Sequence, residues 1–146
     1  MLTSDRKAEI GAWLLEHGHR VVLKLTGGRY PKTLAGMKPV ELHVIGRKSG
    51  KRYSTLLTAP VVEANRLVLV ASKGGHSDHP DWYKNLVANP DVEITLDDRT
   101  RPMRARTATP AETAELWPVV VKVNKGYAGY QRNTDRDIPL VICEPR

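Results

Sequence analysis

The sequence contains no phenylalanine, a single cysteine, few aromatic residues and no long apolar run. One cysteine, Cys143, rules out an intramolecular disulfide and points to a reducing compartment. Its setting in the apolar run Leu140-Val141-Ile142 marks it as a small buried hydrophobe rather than a nucleophile. No apolar stretch approaches the roughly 20 residues of a membrane span. The opening residues Met1-Leu2-Thr3-Ser4-Asp5-Arg6-Lys7 lack the apolar core of a signal peptide. A cytoplasmic protein is the expectation, with peripheral membrane contact through residues 5–25 left open. The shortage of aromatics, and the absence of tyrosines strung along one strand pair, argue against a barrel that stacks single-stranded nucleic acid.

What is present is positive charge. Lys and Arg number 23 against 16 Asp and Glu, for a net charge of +7 over 146 residues. That length fits one domain, expected over residues 1–146, and buries a core without metal or disulfide support. The surplus favours an anionic partner or a solvated basic face, depending on where the charge sits. Much of it sits beside turns.

Apolar positions at Ile10, Trp13, Leu14, Leu15, Val21, Val22 and Leu25 predict a helix over 5–25, with Ser4 as its cap. The Gly- and Pro-bearing stretch 27–39 reads as loop, so residues 1–39 form a helix-and-loop extension. Val40, Leu42 and Val44 then alternate with Glu41 and His43, which is a strand pattern. Further strands are expected over 53–63, 67–72, 92–96, 102–107 and 138–143. Short helices are expected after Pro80, after Pro110, and around Tyr127 and Tyr130. His79 is the cap candidate for the first, and Thr109 with Glu112 forms a capping box for the second. Hairpin-joined strands with inserted helices predict an α+β, mainly β fold: an antiparallel barrel or sheet with peripheral helices.

Three segments can carry chemistry. Gly46-Arg47-Lys48-Ser49-Gly50-Lys51 is a basic turn able to surround a phosphate or carboxylate, or else a hairpin whose lysines keep an edge soluble. It is no Walker loop, because its glycine spacing is wrong. Ser72-Lys73-Gly74-Gly75 ends a buried strand and brings Lys73 to its rim. Trp82 and Tyr83 begin a helix, and Asn85 follows on the face of Trp82, where a buried amide needs partners. Tyr127 and Tyr130 share a helical face and can donate a proton to an oxygen gaining charge, or simply pack. His76, Asp78 and His79 are too loosely spaced for a metal site, and no Gly-x-Ser-x-Gly elbow marks a hydrolase. His17, His19 and His43 read as structural or exposed.

Taken in order, Gly46–Lys51, Val70–Gly75, His79–Tyr83 with Asn85-Leu86 and Ala88-Asn89-Pro90, Thr134–Pro139 and Cys143-Glu144-Pro145 resemble the deazaflavin-dependent nitroreductase family. That family is a branch of the split β-barrel flavin and deazaflavin oxidoreductases. The resemblance runs from about Thr26 onward. It implies a Greek-key-like split barrel and reduced coenzyme F420 as hydride donor. It implies a quinone or nitroaromatic acceptor, and a monomer or homodimer. By family position, Arg47, Lys48 and Lys73 meet the anionic tail. Ser49, Tyr53, Ser54, Thr55 and Thr58 line the cofactor groove. Ala71 and Ser72 approach the ring through backbone, while Trp82, Tyr83 and Asn85 close it. Tyr127 and Tyr130 border the acceptor pocket as the catalytic candidates. Two departures stand out. Lys51-Arg52-Tyr53 and Leu56 occupy positions where the family often has a Pro-Arg pair and a later Pro. Asn124 occupies a position where relatives active on nitroimidazoles carry tyrosine, which turns the expectation toward quinones. FMN on the same barrel, or a non-catalytic deazaflavin carrier, are the alternatives.

Overall fold

The computed structural model describes residues 37–146. The helix expected over 5–25, the loop before Met37, and the readings of Ser4, Trp13, His17 and His19 lie outside the described residues. The described part contains strands β1 (Lys38–Ile45), β2 (Arg52–Ala59), β3 (Val61–Val62), β4 (Leu67–Val70), β5 (Asp91–Leu96), β6 (Arg99–Thr107) and β7 (Leu140–Pro145). Its helices are α1 (Asp81–Ala88), α2 (Pro110–Val123) and α3 (Gly126–Arg132), and Lys73–Gly75 forms a 3₁₀ turn.

All the strand pairings are antiparallel, in the order β2-β1-β5-β6-β7-β4-β3. The run β5-β6-β7 with β4 returned beside β7 is a Greek key. The sheet curls until β2 lies beside β4, which makes an incomplete barrel of the expected split type.

Alternation along the strands sorts side chains to two layers. Val40, Leu42 and Val44 of β1, Leu67 and Leu69 of β4, Ile94 of β5, Met103 of β6 and Val141 and Cys143 of β7 point into the barrel. Trp82 and Leu86 of α1 plug that interior. Val68 and Val70 of β4 and Leu140 and Ile142 of β7 face outward, where Leu116 and Val120 of α2 and Tyr127 of α3 cover them. Thus β4 is buried on both faces, which is why its sequence is apolar at every position. Cys143 is fully buried, and burial lifts its thiol pKa to about 12. That makes it inert packing at neutral pH.

Local chemistry sets the element ends. Asp97 and Asp98 both take positive φ (50° and 64°), the geometry of a tight two-residue hairpin. This lets β6 start at Arg99, three residues before the expected position. Pro60 interrupts the strand expected over 53–63, leaving β2 and the short β3. The first helix begins one residue later than expected. Pro80 keeps an extended backbone (φ −64°, ψ 150°) and serves as the N-cap itself, so His79 is not the cap. The Thr109–Glu112 capping box is formed in both directions. The Glu112 carboxylate also meets the Arg106 guanidinium through two bonds (2.7 and 2.9 Å), which hold its pKa down at about 2. Arg106 reaches Glu144 as well (2.9 Å), so α2 is tied to β6 and β7.

His43 lies on the outward row of β1 and is buried between its neighbours. Its ring bonds Ser54 Oγ (2.7 Å) and Thr95 Oγ1 (2.8 Å). Burial first, then the nearby Arg52, hold its pKa below the usual histidine value. A histidine kept neutral in the fold but free to protonate when unfolded stabilises fully above about pH 6.5, and that stability is lost as pH falls below it. The wild-type melting temperature should therefore drop between about pH 7.5 and 5.5, and His43→Gln should show a shallower pH slope. Equal slopes in thermal scans of the two proteins contradict this role for His43.

Candidate functional site

Where β1 ends, Gly46–Lys51 folds back on itself: Gly46 N donates to Lys51 O (2.8 Å) and Gly50 N to Gly46 O (3.0 Å). Gly50 supplies the positive φ (70°) that the turn requires. At Gly46 a Cβ would stand 2.6 Å from the Tyr53 ring, so the glycine lets that ring lie on the turn. Ser49 Oγ bonds Tyr53 OH (2.9 Å). Arg47 reaches across to α1: its backbone N and its Nη1 both donate to Asn85 Oδ1 (3.1 and 2.7 Å). The buried amide of Asn85 therefore finds its partner in the basic turn. Arg47 acts as a clamp between turn and helix, with a longer contact to Asp81 (3.5 Å). Lys48 makes no ion pair with any described residue.

Where β4 ends, the chain enters the 3₁₀ turn. Ser72 is right-handed (φ −77°, ψ −38°), whereas Lys73 (φ 45°) and Gly74 (φ 61°) are left-handed. A left-handed lysine is uncommon and carries strain of order 1 kcal/mol or more. Arg136, from the connection between α3 and β7, braces this loop from behind. Its Nη2 donates to Ser72 O (2.7 Å), its Nε to His76 O (2.7 Å), and its Nη1 to Ala71 O (3.2 Å) and His79 Nδ1 (3.0 Å). A guanidinium has no acceptor, so His79 must accept through Nδ1 and is neutral. Burial, then the Arg136 charge, depress its pKa accordingly. Asp78 is held by Lys84 (2.6 Å). Among the described residues no group of three His, Cys, Asp or Glu side chains could hold a metal ion.

Two cavities open beside these turns and share Thr55, Asp81 and Trp82. One, of about 460 Å³, is basic: Arg47, Lys48, Ser49, Tyr53, Ser54 and Asn85 line it. The other, of about 380 Å³, runs over Thr58, Ser72 and Lys73 to Tyr127 and Tyr130, with Leu57, Leu69 and Val70 as apolar walls. The two together join a basic surface to an apolar one. Every candidate residue from the sequence lines one of them except Ala71 and Tyr83. Ala71 is fully buried behind Ser72, and Tyr83 is turned to β6, where its hydroxyl bonds Thr107 Oγ1 (2.8 Å).

The two tyrosines differ. Tyr127 is buried, donates to Met37 Sδ (3.3 Å) and is bonded by Thr58, and burial raises its pKa. Tyr130 stands edge-on to it, 6.1 Å between ring centres, and its hydroxyl meets no described side chain. Asn124 caps α2 and binds Gly126 N through its side chain (2.9 Å) at the rim of the same cavity. Sequence reasoning missed Met37, Asp81 and Arg136. Asp81 and Arg136 lay within motifs already singled out, whereas Met37 did not.

Residues 16–145 match the family described as F420H(2)-dependent quinone reductase. The chain is 34% identical over 149 aligned positions to an F420H(2)-dependent quinone reductase of Mycobacterium tuberculosis, covering 94% of this chain and 99% of that one. It is similar to a solved structure described as an F420-H2 dependent reductase, at 39% identity and TM-score 0.66, over 73% of this chain and 94% of that one. A second solved structure, described as a domain-swapped dimer, matches at 35% identity and TM-score 0.68, over 90% and 97%.

The loop geometry yields a test. Gly75 has φ 81°, and a Cβ there would sit 2.5 Å from the backbone oxygen of Tyr130. Backbone cannot swing aside as a side chain can. Gly75→Ala should cost about 2 kcal/mol or more in chemical denaturation. An unchanged unfolding midpoint contradicts this packing of turn against α3.

Proposed function

The chain belongs to the F420H(2)-dependent quinone reductase family, and on that premise we propose how its residues carry out the reaction. The protein holds reduced coenzyme F420 across the two joined cavities and delivers reducing equivalents to a quinone beside Tyr130. The carrying observation is the junction at Thr55, Asp81 and Trp82, which joins a cationic compartment to one walled by apolar side chains and tyrosines. The residues present fit the group: its tail is anionic and its chromophore flat. When bound, F420H2 supplies the hydride.

The chain's own residues do the rest. Lys48 and Lys73 attract the anionic tail. Arg47 does so only in part, because Asn85 already holds its guanidinium. Trp82, packed at the head of α1, lines both compartments where they meet. Leu57, Leu69 and Val70 exclude water from the reaction cavity, which strengthens every polar interaction inside it. As a quinone accepts hydride, negative charge gathers on its oxygen, and a phenol hydroxyl can donate a hydrogen bond or a proton there. Tyr130 is the donor in this reading, because its hydroxyl meets no side chain among the described residues. Tyr127, satisfied by Thr58 and Met37, supports the wall behind it. Asn124, held by its own backbone contact, leaves the acceptor pocket without a third tyrosine, which favours quinones over nitroaromatics. FMN shares the flat ring and anionic tail, and family membership favours F420 over it. A homodimer and a cytoplasmic location complete the proposal. The first rests on the dimeric solved relative. The second rests on the lone buried cysteine, with no helix among the described residues long and apolar enough to cross a membrane.

Mixing the protein with reduced F420 and menadione should bleach the cofactor's reduced state faster than menadione alone, and a rate equal to the protein-free one rejects the reductase reading. Tyr130→Phe should lower kcat by about tenfold to a hundredfold with cofactor affinity unchanged. Tyr127→Phe should instead lose about 1 kcal/mol of stability. The reverse pattern would overturn the assignment. For the tail, Lys48→Ala should weaken F420 binding by about 1.5–3 kcal/mol. Lys38→Ala, which removes only a loose contact to Asp97 (3.7 Å), should leave it unchanged. Superimposable titration curves for the two variants reject the tail site.

A further inference from the structure

The loop that follows β4 presents donors as well as a lysine. The succession of a right-handed Ser72 and a left-handed Lys73 is the backbone pattern of a nest, in which consecutive N–H groups converge on one point. Among the described residues, no acceptor meets the N–H groups of Ser72, Lys73 or Gly74, although Ala71 N, Gly75 N and His76 N are all satisfied. The same three residues line the cavity that holds Tyr130.

The orientation of those donors follows from the carbonyls behind them. In a trans peptide the N–H points opposite to the C=O, and the described residues contain no cis peptide. The carbonyls of Ala71 and Ser72 are drawn to the Arg136 guanidinium (3.2 and 2.7 Å). The N–H groups of Ser72 and Lys73, which belong to the same two peptide planes, are thereby turned away from Arg136. The third carbonyl on that guanidinium, His76 O, and the ring of His79 fix the far end of the loop (2.7 and 3.0 Å). Arg136 itself is partly buried and stays cationic, so it satisfies carbonyls that would otherwise be buried at the end of a strand. It touches neither cavity.

We propose that Arg136 is a positioning residue: by gathering the carbonyls of Ala71, Ser72 and His76 it holds the Ser72–Gly74 backbone as a donor nest for an anionic oxygen of the bound ligand. This rests on the reading of the cavity as the deazaflavin site. Its four contacts need the planar fork of a guanidinium, with donors spread over three nitrogens. A lysine supplies positive charge at one point and can reach only part of the set.

The test uses the full chain with oxidised F420 and inorganic phosphate as probes. Wild type should bind F420, and in an amide-resolved NMR titration phosphate should shift the N–H signals of Ser72, Lys73 and Gly74. Arg136→Ala should raise the Kd for F420 at least tenfold and abolish those shifts. Millimolar guanidinium, but not sodium at equal ionic strength, should restore part of both, a recovery that loss of general stability does not produce. Arg136→Lys should fall between, with a Kd several-fold above wild type, and decides the matter if the alanine variant does not fold. Wild-type affinity and unchanged amide shifts in a folded Arg136 variant overturn the proposal. Failure of the wild type to bind F420 overturns the deazaflavin reading instead. In that case the phosphate shifts alone, present in wild type and absent in the variant, still support the role of Arg136.

Discussion

A strand buried on both faces has to end somewhere, and its backbone groups must then find partners other than a neighbouring strand. In this protein β4 is that strand, and the solution at its end shapes the site. The carbonyls of Ala71 and Ser72 are met by one guanidinium delivered from 64 residues later in the chain. The backbone beyond them is forced into a left-handed lysine and two glycines with positive φ. The strain is local to the cavity wall, where a rigid, unusual backbone can present donors to a ligand and an ordinary turn could not.

A second join completes the cavity. Helix α1 plugs the barrel with Trp82 and Leu86, and the same turn of helix carries Asn85, whose amide oxygen takes both donors of Arg47. One contact thus fixes the basic turn to the plug beside Trp82, where the two cavities meet. It also divides labour among the cations. Arg47 and Arg136 serve mainly the protein, one at an amide and one at carbonyls. Lys48 and Lys73 lack ion-pair partners among the described residues and face the cavities. The net charge of +7 says nothing of this division, which rests on which guanidinium already has acceptors.

The legible parts of the fold were those written in residue type. Alternation in β1, the unbroken apolar run of β4 and the Thr109–Glu112 box all formed where their chemistry places them. Boundaries slipped where one residue's backbone decided the outcome. Pro80 took the capping position itself, and Pro60 split a strand. In the site, the need of Asn85 for partners was readable, but not that Arg47 would supply them, since the two are 38 residues apart. Arg136 was unreadable as a brace, because its partners are mainly backbone carbonyls, which carry no signature in sequence. The shared face of Tyr127 and Tyr130 followed from their spacing. Their difference did not, because it depends on Met37, which lies 90 residues before Tyr127.

Family membership, the curled sheet and the paired cavities support the proposal that this chain grips a deazaflavin by its tail and offers its face to a quinone. Fluorescence titration of the purified protein with F420 and, in parallel, with FMN tests that most directly. The account predicts saturable binding of F420 at least tenfold tighter than FMN, weakened by salt as a contact with charged groups requires. Tighter binding of FMN, or no saturation by F420, would contradict it.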